Sequence, residues 1–412
     1  MFDNTPIRFY HGSMRAIDFR NDCCLILHLT GDVTGMARKK LRGAFVGGGV
    51  GSLIGPVHHT AILMDGAATL VAGVFSRDQE KNRASGEYYG VDRYRCYPSV
   101  EELVAKERDL DWVSVMSPNN AHRAQIETLV GAGIPVISDK PLTTTLEDAR
   151  ALAEVIHAGN RTFALTHAYT GYPMVRQARD VVASGRLGRV YKVIVDYLQG
   201  WLSDFHEVPA GPKMPWRTRR ESSGIACTTA DIGTHADNLA RYVTGFGIRR
   251  LAARTNTFLP GNELDDDLTV QVEYAGGAHG VYNASQVATG ERNSLSIRVY
   301  GDRAGLEWRQ EHPNQLVIKE RDLSHVVYDS GRSIGSDRDN YRFRLPPGHP
   351  EGLIEAFANV YADSLDRIRS GSPGTDVPGV PGIEDGLRGM VFTDLVVRSS
   401  ASDSSWIEWP VG

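Results

Sequence analysis

Apolar and polar residues follow two different rhythms along this chain. From residue 41 to residue 165, short and wholly apolar runs are separated by segments long enough to form helices. The apolar runs predict buried strands at residues 43–46, 69–75, 112–116, 134–138 and 162–165. Wholly apolar strands that alternate with helices form a parallel sheet covered on both faces. We therefore expect a doubly wound α/β domain in this part of the chain.

The segments between these strands carry helix-start signals. Ser99 precedes two glutamates, and Thr144 or Thr145 precedes Glu147 and Asp148. Helices are predicted at residues 56–64, 99–108, 121–131 and 145–157. Cofactors on such sheets bind at the carboxyl ends of the strands, so the residues that directly follow each strand are the first candidates for chemistry.

After residue 166 the apolar and polar residues alternate singly, which is typical of strands with one buried face. The alternating runs lie at residues 190–199, 248–258, 268–274, 280–286, 294–300 and 305–309. Helices are predicted at residues 172–184, 351–370 and 383–400, and a surface loop at residues 330–350. This part of the chain is expected to be an α+β domain with a large, mostly antiparallel open sheet.

The two rhythms predict two folded domains, residues 39–166 and residues 167–412, as the length of 412 residues also suggests. Residues 1–38 match neither pattern and are expected to be a loosely attached extension, with Met36 as an alternative start. The short apolar patch in this extension follows Asp18 and Asp22 and lacks a small-residue cleavage site, so it makes a poor signal peptide.

Overall composition excludes several classes of protein. With 41% hydrophobic and 23% charged residues, the chain has the composition of an ordinary soluble globular protein. The net charge of −5 argues against a nucleic-acid-binding surface, and no apolar run reaches the roughly 20 residues that span a bilayer. The cysteines (Cys23, Cys24, Cys96 and Cys227) have neither metal-type nor disulfide-type spacing, so we expect no metal site and a reducing, cytoplasmic location.

The most distinctive stretch is the glycine-rich turn at residues 47–55, directly after the first predicted strand. Glycines permit a tight turn and let backbone N–H groups approach a ligand closely. A helix that begins at the end of the turn favours a phosphate at its N-terminus. The stretch predicts a dinucleotide-binding turn in this strand–turn–helix context.

Further motifs follow later strands. Ser117-Pro118-Asn119-Asn120-Ala121-His122 and Asp139-Lys140-Pro141 end two strands of the first domain, and the second domain contains Trp216-Arg217, Asp231-Ile232-Gly233-Thr234-His235 and Glu384-Asp385-Gly386. In order and spacing, these motifs and the glycine turn resemble those of the glucose–fructose oxidoreductase / inositol dehydrogenase (Gfo/Idh/MocA) family of NAD(P)-dependent oxidoreductases. The resemblance covers roughly residues 41–409, and Asp139 stands where glutamate is usual in the family.

The resemblance implies a Rossmann domain that binds NADP or NAD and a second domain that binds a sugar, cyclitol or derivative. The cofactor-binding residues that it implies are Gly47, Gly49, Gly51, Ser52, Ser76, Arg77, Ser117, Pro118, Asn119, His122, Asp139, Lys140, Trp216 and Arg217. The substrate-binding residues that it implies are Lys140, Tyr169, Trp216, Asp231 and His235.

Three residues are the candidates for catalysis: Lys140, Asp231 and His235. Lys140 follows a buried strand, and a lysine in a partly dry cleft can donate or accept a proton. Asp231 and His235 stand four residues apart in a helix predicted at residues 231–243 and would share one face. An imidazole can accept the hydroxyl proton as hydride leaves carbon, and a carboxylate can orient a neighbouring hydroxyl. The plainer alternatives are a solvated loop lysine, an N-capping aspartate and a packing histidine.

Ser76 and Arg77 end the second predicted strand, where an acidic residue would bind the ribose 2′-hydroxyl of NAD. A serine and an arginine suit the 2′-phosphate of NADP instead. Asp78 follows directly, so NADP is only slightly favoured over NAD.

The chain departs from the family pattern in two places. Either Ser52 takes the place of the third glycine, or Gly55 does so three residues late, with His58 at the expected offset. The second interpretation predicts a longer turn in which Ser52 touches the pyrophosphate. The other departure is the segment 225–230, where relatives often have a glycine pair, so the backbone near the substrate is expected to differ.

Other polar and aromatic residues are weaker candidates. Tyr169 follows the last strand of the first domain and could line a site for a polyhydroxylated ring, with Tyr172 and Arg176 less favoured. His206 lies near the Trp216-Arg217 pair and is a similar candidate. Aromatic residues near a domain junction are more often plain packing residues.

We expect a dehydrogenase or reductase that moves hydride between nicotinamide and a secondary alcohol or ketone of a sugar, cyclitol or derivative. One alternative is transient oxidation with a tightly bound cofactor during glycoside cleavage or isomerisation. Another is a catalytically silent NADP-binding sensor, which has no chemical need for Lys140, Asp231 and His235. The open sheet, if its outer face is apolar, also predicts a homodimer or homotetramer.

Overall fold

A computed structural model describes residues 39–211, 213–331, 341–372 and 374–410. Five parallel strands form its first sheet, in the order β2-β1-β3-β4-β5. They are β1 (Leu41–Gly47), β2 (Ala68–Val74), β3 (Trp112–Met116), β4 (Val136–Ser138) and β5 (Phe163–Leu165). The doubly wound α/β prediction is confirmed, and the strand ends differ from the predicted ones by up to two residues.

The strand order fixes where a ligand can bind. Since β1 lies between β2 and β3, the strand order reverses at β1, and in sheets of this kind a ligand binds in the crevice outside the strand ends at that switch point. Gly47, at the end of β1, pairs with Met116, at the end of β3. The glycine turn and the Ser117 motif therefore flank the same crevice.

Helices accompany the parallel strands: α1 (Ile54–Leu63), α2 (Gln79–Tyr88), α3 (Val100–Lys106), α4 (Asn119–Gly131) and α5 (Leu146–Gly159). Ser99 and Thr145 cap α3 and α5 with their side chains, as their sequence signals predict. Helix α2 was not predicted because it is almost entirely polar. Its buried residues are Asn82, Ser85 and Gly86, so it lacks the apolar stripe by which helices are recognised.

Nine strands form the second sheet, in the order β13-β12-β11-β10-β6-β9-β8-β7-β14. They are β6 (Val190–Leu198), β7 (Ile248–Asn256), β8 (Asp267–Tyr274), β9 (His279–Ser285), β10 (Ser294–Gly301), β11 (Ala304–Arg309), β12 (Gln315–Glu320), β13 (His325–Asp329) and β14 (Ile407–Glu408). Only the β6–β9 pair is parallel among the strand pairs of this sheet that the structure describes. The mostly antiparallel sheet is confirmed, although β12, β13 and β14 were not predicted.

The later helices are α6 (Pro173–Ala183), the short α7 (Arg220–Ser223), α8 (Thr234–Thr244), α9 (Leu353–Ser370) and α10 (Ile383–Ala401). Helix α9 packs on the parallel sheet, where the hydroxyl of Tyr361 contacts the Ser114 hydroxyl at 2.8 Å and the His58 ring at 2.6 Å. Helix α10 packs against both sheets: Met390 lies in the hydrophobic core of the first sheet, and Phe392 lies in the hydrophobic core of the second.

Two predictions fall on residues outside the described ranges. The extension at residues 1–38 lies there entirely, and the predicted loop at residues 330–350 lies there in part. The boundary between residues 166 and 167 stays a prediction. In the described parts of the chain, no helix is long and apolar enough to cross a membrane.

Candidate active site

The glycine turn joins β1 to α1 through backbone shapes that require glycine. Gly47 has a φ of +84°, in the left-handed region that other residues avoid. Gly55 lies in the first turn of α1, and a Cβ there would stand 2.0 Å from the carbonyl oxygen of Gly48. Gly55 thus lets the helix approach the strand end closely, as the third glycine of a dinucleotide turn does. The longer turn is the arrangement that the structure adopts, and α1 begins at Ile54 rather than at residue 56.

Side chains within and behind the turn hold its shape. The Ser52 amide donates to the carbonyl oxygen of Gly49 at 2.9 Å, and the Ser52 hydroxyl accepts from the Gly55 amide at 3.2 Å. Ser52 therefore helps to start α1, while its contact with pyrophosphate stays a prediction. His58 is completely buried, burial lowers its pKa, and its ring contacts Tyr361, so it is a packing residue.

This turn fits a dinucleotide. It lies at the switch point of the sheet and ends in the N-terminus of α1, where backbone N–H groups favour phosphate. A Cβ at Gly49 would stand 2.8 Å from the carbonyl oxygen of Phe75, so the turn lies against the end of β2. The residues that follow β2 therefore border the turn on the side where dinucleotide-binding domains of this kind bind the adenosine ribose.

In the segment after β2, Arg77 is exposed and Asp78 is a helix cap. Asp78 caps α2, and its carboxylate accepts from the Lys81 amide at 2.8 Å. The Ser76 hydroxyl accepts from the Asp78 amide at 3.2 Å, and Arg77 is exposed. Asp78, the acidic residue that kept NAD as a close alternative to NADP, is thus engaged as the cap of α2.

The Ser117–His122 motif connects two of the strand ends. The Ser117 hydroxyl donates to the Gln125 side chain at 2.6 Å. His122 is buried, and its two ring nitrogens face the carbonyl oxygens of Ser117 and Pro141 at 2.8 and 3.0 Å. Pro118 precedes α4 and Asn119 is its first residue. The motif therefore fixes the loop after β3 against the loop after β4.

Lys140 is aimed at Asp231. The Asp139 carboxylate accepts from the Lys140 amide at 2.9 Å and from the Thr166 hydroxyl at 2.8 Å, which orders the loop after β4. The Lys140 ammonium donates to the Asp231 carboxylate at 2.6 Å and to the Asp231 carbonyl oxygen at 2.7 Å. The two side chains are 14% and 21% exposed, so a substrate can reach the pair. The solvated loop lysine is excluded.

The helix predicted at residues 231–243 is wrong in its first turn. Residues Thr229–Gly233 form a π-helical turn, and α8 begins only at Thr234. The Asp265 carboxylate accepts from the Cys227 and Thr229 amides at 2.6 and 2.7 Å, which anchors the segment just before Asp231. The difference from relatives expected at residues 225–230 stays a prediction.

Asp231 is held as a carboxylate. Burial alone would raise its pKa, but Lys140, Arg217 and Gln286 together keep it below its usual value. The Gln286 amide donates to one carboxylate oxygen at 2.8 Å, and the guanidinium of Arg217 stands 3.8 Å from the same oxygen. Asp231 is therefore not a helix cap.

His235 lies in the first turn of α8 and is 7% exposed. Its Nδ1 is 3.2 Å from the Nδ1 of His167, and the ring of Tyr169 packs edge-on against it at 4.9 Å. Burial, Lys140 and His167 all lower the pKa of His235 well below its usual value. Burial likewise lowers the pKa of His167 to about 3. Both imidazoles are consequently neutral at neutral pH.

Several site residues were not singled out from the sequence: His167, Tyr197, Gln199, Gln286 and Asn293. Asn293 contacts both the Gln199 amide at 2.6 Å and the Tyr169 hydroxyl at 3.2 Å, and the Gln199 and Gln286 side chains approach within 3.5 Å. His167, Gln199 and Gln286 each stand one or two residues after a strand. His167 follows β5 of the parallel sheet, where strand ends were already the first candidates, and Gln199 and Gln286 follow β6 and β9, so the same signal in the second sheet points to them.

The remaining candidates divide between the site and the protein interior. Arg217 stacks on Trp216 at 4.5 Å while it faces Asp231, so this pair borders the site. Arg176 pairs with Asp363 at 2.7 Å, which makes it a structural residue. Tyr172 packs on Trp308, and His206 is exposed with a ring nitrogen 2.9 Å from the Ser203 carbonyl oxygen. Within the described residues, no group of His, Cys, Asp and Glu side chains is placed to hold a metal ion.

Known proteins match both parts of the chain. Residues 41–167 match the oxidoreductase family with an NAD-binding Rossmann fold, and residues 175–307 match the GFO/IDH/MocA C-terminal domain. The uncharacterized oxidoreductase YfiI of Bacillus subtilis (strain 168) is 28% identical over 382 residues, which cover 90% of this chain and 97% of that protein. Levoglucosan dehydrogenase of Pseudarthrobacter phenanthrenivorans is 25% identical over 340 residues, or 74% of this chain and 82% of that protein.

A solved structure agrees in both fold and sequence. The inositol dehydrogenase homolog from Azotobacter vinelandii, complexed with NAD+, is 33% identical and superimposes with a TM-score of 0.84 over 91% of this chain and 98% of that chain. Together with the two family matches and the glycine turn at the switch point, this likeness leads to one conclusion. The chain belongs to the Gfo/Idh/MocA family and is an NAD(P)-dependent oxidoreductase of the sugar and cyclitol dehydrogenase type.

Proposed function

We propose that this enzyme moves hydride between nicotinamide and a secondary alcohol or ketone on a neutral, polyhydroxylated ring, a sugar or a cyclitol. The observation that carries the proposal is the placement of Lys140, Asp231 and His235 together at the carboxyl edge of the parallel sheet. The ammonium of Lys140 bonds to Asp231 at 2.6 Å, and its charge acts on the pKa of the buried His235.

Each of these residues has a role that suits its charge state. His235 is neutral and accepts the proton of the substrate hydroxyl when the alcohol is oxidised. Asp231 is ionised and accepts a hydrogen bond from a neighbouring hydroxyl, which orients the ring. Lys140 positions the reacting oxygen and the nicotinamide. The bound nicotinamide supplies the hydride acceptor.

The polar wall beside Asp231 supports a neutral substrate. Gln199 and Asn293 are half-buried and offer amide groups, which bond well to sugar hydroxyls, while the buried Gln286, Tyr169 and Tyr197 hold Asp231 and Asn293 in place. The positive charge of Lys140 is paired with Asp231, so this wall does not call for an anionic substrate. The names of two relatives, a levoglucosan dehydrogenase and an inositol dehydrogenase homolog, also point to polyhydroxylated rings.

We propose that the cofactor is NADP, with NAD as the close alternative. The exposed Arg77 can meet a 2′-phosphate, while Asp78 is occupied as a helix cap. The NAD+ in the structure of the Azotobacter vinelandii homolog supports the alternative, so the preference between the two cofactors is the quantity to test. The ratio of kcat/KM for the two cofactors measures it, and a clear preference for NAD would contradict the proposal.

The same proposal includes a homodimer or homotetramer formed through the outer face of the nine-stranded sheet. Ile194 and Val281 alternate with the buried positions of β6 and β9, and so face outward from this core. The outer face also carries the ion pair between Arg298 and Asp196, so it is mixed rather than wholly apolar. Light scattering measures the mass of the particle in solution, and the mass of a monomer would contradict this part of the proposal.

The cytoplasmic location stays a prediction.

A substrate screen tests the proposed function. Purified enzyme is offered sugars, anhydrosugars and inositols with NADP+ and with NAD+, and the nicotinamide absorbance is followed. We expect net cofactor reduction with at least one neutral ring. Cofactor that copurifies, together with a converted sugar and no net absorbance change, would indicate transient oxidation. Binding of dinucleotide without any conversion would favour the silent sensor.

A further inference from the structure

Two buried histidines from distant parts of the chain contact each other beside Asp231. His167 stands just after β5, where a short 3-10 helix (Ala168–Gly171) begins, and His235 stands in the first turn of α8. Their Nδ1 atoms are 3.2 Å apart, and the rings are perpendicular with centroids separated by 5.0 Å. The side chains are 2% and 7% exposed, so water competes poorly for this contact.

The contact couples the protonation of the two rings. A neutral imidazole has one N–H donor and one acceptor nitrogen. Two Nδ1 atoms at hydrogen-bond distance therefore need one proton between them, held by one ring and accepted by the other. If His235 holds it, the Nε2 of His235 has a free lone pair. If His167 holds it, the Nε2 of His235 is protonated and cannot act as a base.

We propose that His167 is a positioning residue for proton transfer: it accepts a hydrogen bond from Nδ1–H of His235 and leaves Nε2 of His235 as the nitrogen that exchanges a proton with the substrate. This inference rests on the proposed dehydrogenase function, because only that role requires a lone pair on His235. In such sites the tautomer of a histidine is set by the bond that its other nitrogen makes.

The step balances without any further reactant. On oxidation, the substrate O–H bond breaks and an N–H bond forms at Nε2 of His235. The adjacent C–H bond breaks, its electron pair leaves as hydride for the nicotinamide, and a C=O bond forms. His235 becomes an imidazolium whose Nδ1–H points at the lone pair of His167, which stabilises the charge. Reduction of a ketone runs the same transfers in reverse.

Burial keeps both rings neutral at rest, and charged groups of both signs surround the pair. His235 faces Lys140, and His167 faces Asp139 and Lys140 from the loop after β4, Arg241 from α8 and Asp385 from α10. Burial is the largest influence on both rings and lowers both pKa values. Each ring thus carries the single N–H that the shared-proton arrangement requires.

Nuclear magnetic resonance tests the tautomers without any substrate. The full-length protein, as purified, is labelled with nitrogen-15 in histidine, and long-range proton–nitrogen correlations report which ring nitrogen is protonated. The signal of His235 is assigned by its loss in the His235→Gln protein. We expect His235 protonated at Nδ1 and His167 at Nε2. A His235 protonated at Nε2 in the wild-type protein would overturn the proposal, whatever the enzyme turns over.

Kinetics then test the consequence. His167→Leu removes the acceptor, and we expect kcat to fall about 10-fold to 100-fold through loss of orientation, with KM and cofactor affinity unchanged. His167→Asn places an amide oxygen near the former Nδ1 and should recover most of the activity. An unchanged kcat in His167→Leu would refute the role. If no sugar is converted at all, the proposed function fails while the tautomer measurement still decides the pairing.

Discussion

The glycine turn and the cluster around Asp231 are built in opposite ways. The turn is one contiguous stretch whose shape is set by positive-φ glycines (Gly47, Gly48 and Gly51) and by local hydrogen bonds of Ser52. The cluster gathers side chains from the ends of β4, β5 and β9 and from the turn before α8, and most of them are buried. A site made of backbone can be recognised in a local sequence, whereas a site made of distant side chains emerges only from the fold.

The two regions also differ in what they contribute. The turn offers backbone donors and a helix N-terminus, which suit binding of a phosphate group. The cluster holds one carboxylate ionised by Lys140 and Arg217, and two histidines neutral by burial. We therefore expect damage to the turn to weaken cofactor binding, and damage to the cluster to slow the chemical step.

The largest expected effect comes from His235→Ala, which removes the proton acceptor. The rate constant for hydride transfer should fall by roughly 10²–10⁴, the usual weight of a general base. Cofactor affinity, measured by fluorescence titration, should not change. His206→Ala is the matched control, because that histidine is exposed and should be dispensable. If His235→Ala lost cofactor affinity but kept the rate constant for hydride transfer, His235 would belong to cofactor binding, as the glycine turn does, and not to the chemical step.

The next largest effect is expected from Gly55→Ala. The added methyl group would stand 2.0 Å from the backbone oxygen of Gly48, so the helix must move away from the strand. At the usual cost of overpacking, the dissociation constant of the dinucleotide should rise about 10-fold to 100-fold. Gly131→Ala is the control, because a Cβ there meets nothing within 4 Å. Equal affinities for the two variants would show that the close approach does not matter for binding.

A pH series separates the neutral histidines from the rest of the molecule. The pKa of His167 is about 3 in the folded state, below its unfolded value of about 6.5. The unfolded state thus binds more protons between these values, and His167 lowers the free energy of unfolding as pH falls. His167→Leu should gain stability relative to wild type by up to about 1.4 kcal/mol per pH unit below pH 6.5.

Chemical denaturation at pH 7 and at pH 5 measures this difference. His206→Leu is the control, because that ring is exposed. Asp231 affects stability in a lower pH range than His167. The pKa of Asp231 lies below the unfolded value of about 3.9, so the stability that its carboxylate contributes is lost only as pH falls below that value. A His167→Leu difference that does not vary between pH 7 and pH 5 would mean that His167 is not buried as a neutral ring.

The smallest effect is expected from Arg77→Ala. Arg77 is exposed, so its contact with a 2′-phosphate is screened by solvent and salt. The preference for NADP over NAD, taken as the ratio of the two kcat/KM values, should fall by about 10-fold at most, the worth of one charge-assisted hydrogen bond. Arg83→Ala, on the neighbouring helix α2, is the control. A preference that Arg77→Ala leaves intact would mean that another group recognises the cofactor.

Much of this structure could be predicted from the sequence because the signals were local. The five parallel strands, the alternating strands of the second sheet and the long turn with Gly55 at its end all follow from short contiguous patterns. The π-helical turn at Thr229–Gly233 could not be predicted, since its anchor, Asp265, lies far along the chain. Helix α2 was missed because polar residues carry its packing. The pairing of Asp231 with Gln286 and of His235 with His167 could not be predicted, because these residues lie far apart in the chain and only the fold brings them into contact.

The account depends most on the separation of binding in the turn from chemistry in the cluster. A double-mutant cycle with Gly55→Ala and His235→Ala tests it, with dinucleotide affinity and the single-turnover rate of hydride transfer measured for all four proteins. We predict that the double variant has the affinity of Gly55→Ala and the rate of His235→Ala, with a coupling energy within about 0.5 kcal/mol. A larger coupling energy, or a loss of affinity in His235→Ala as great as in Gly55→Ala, would contradict the separation.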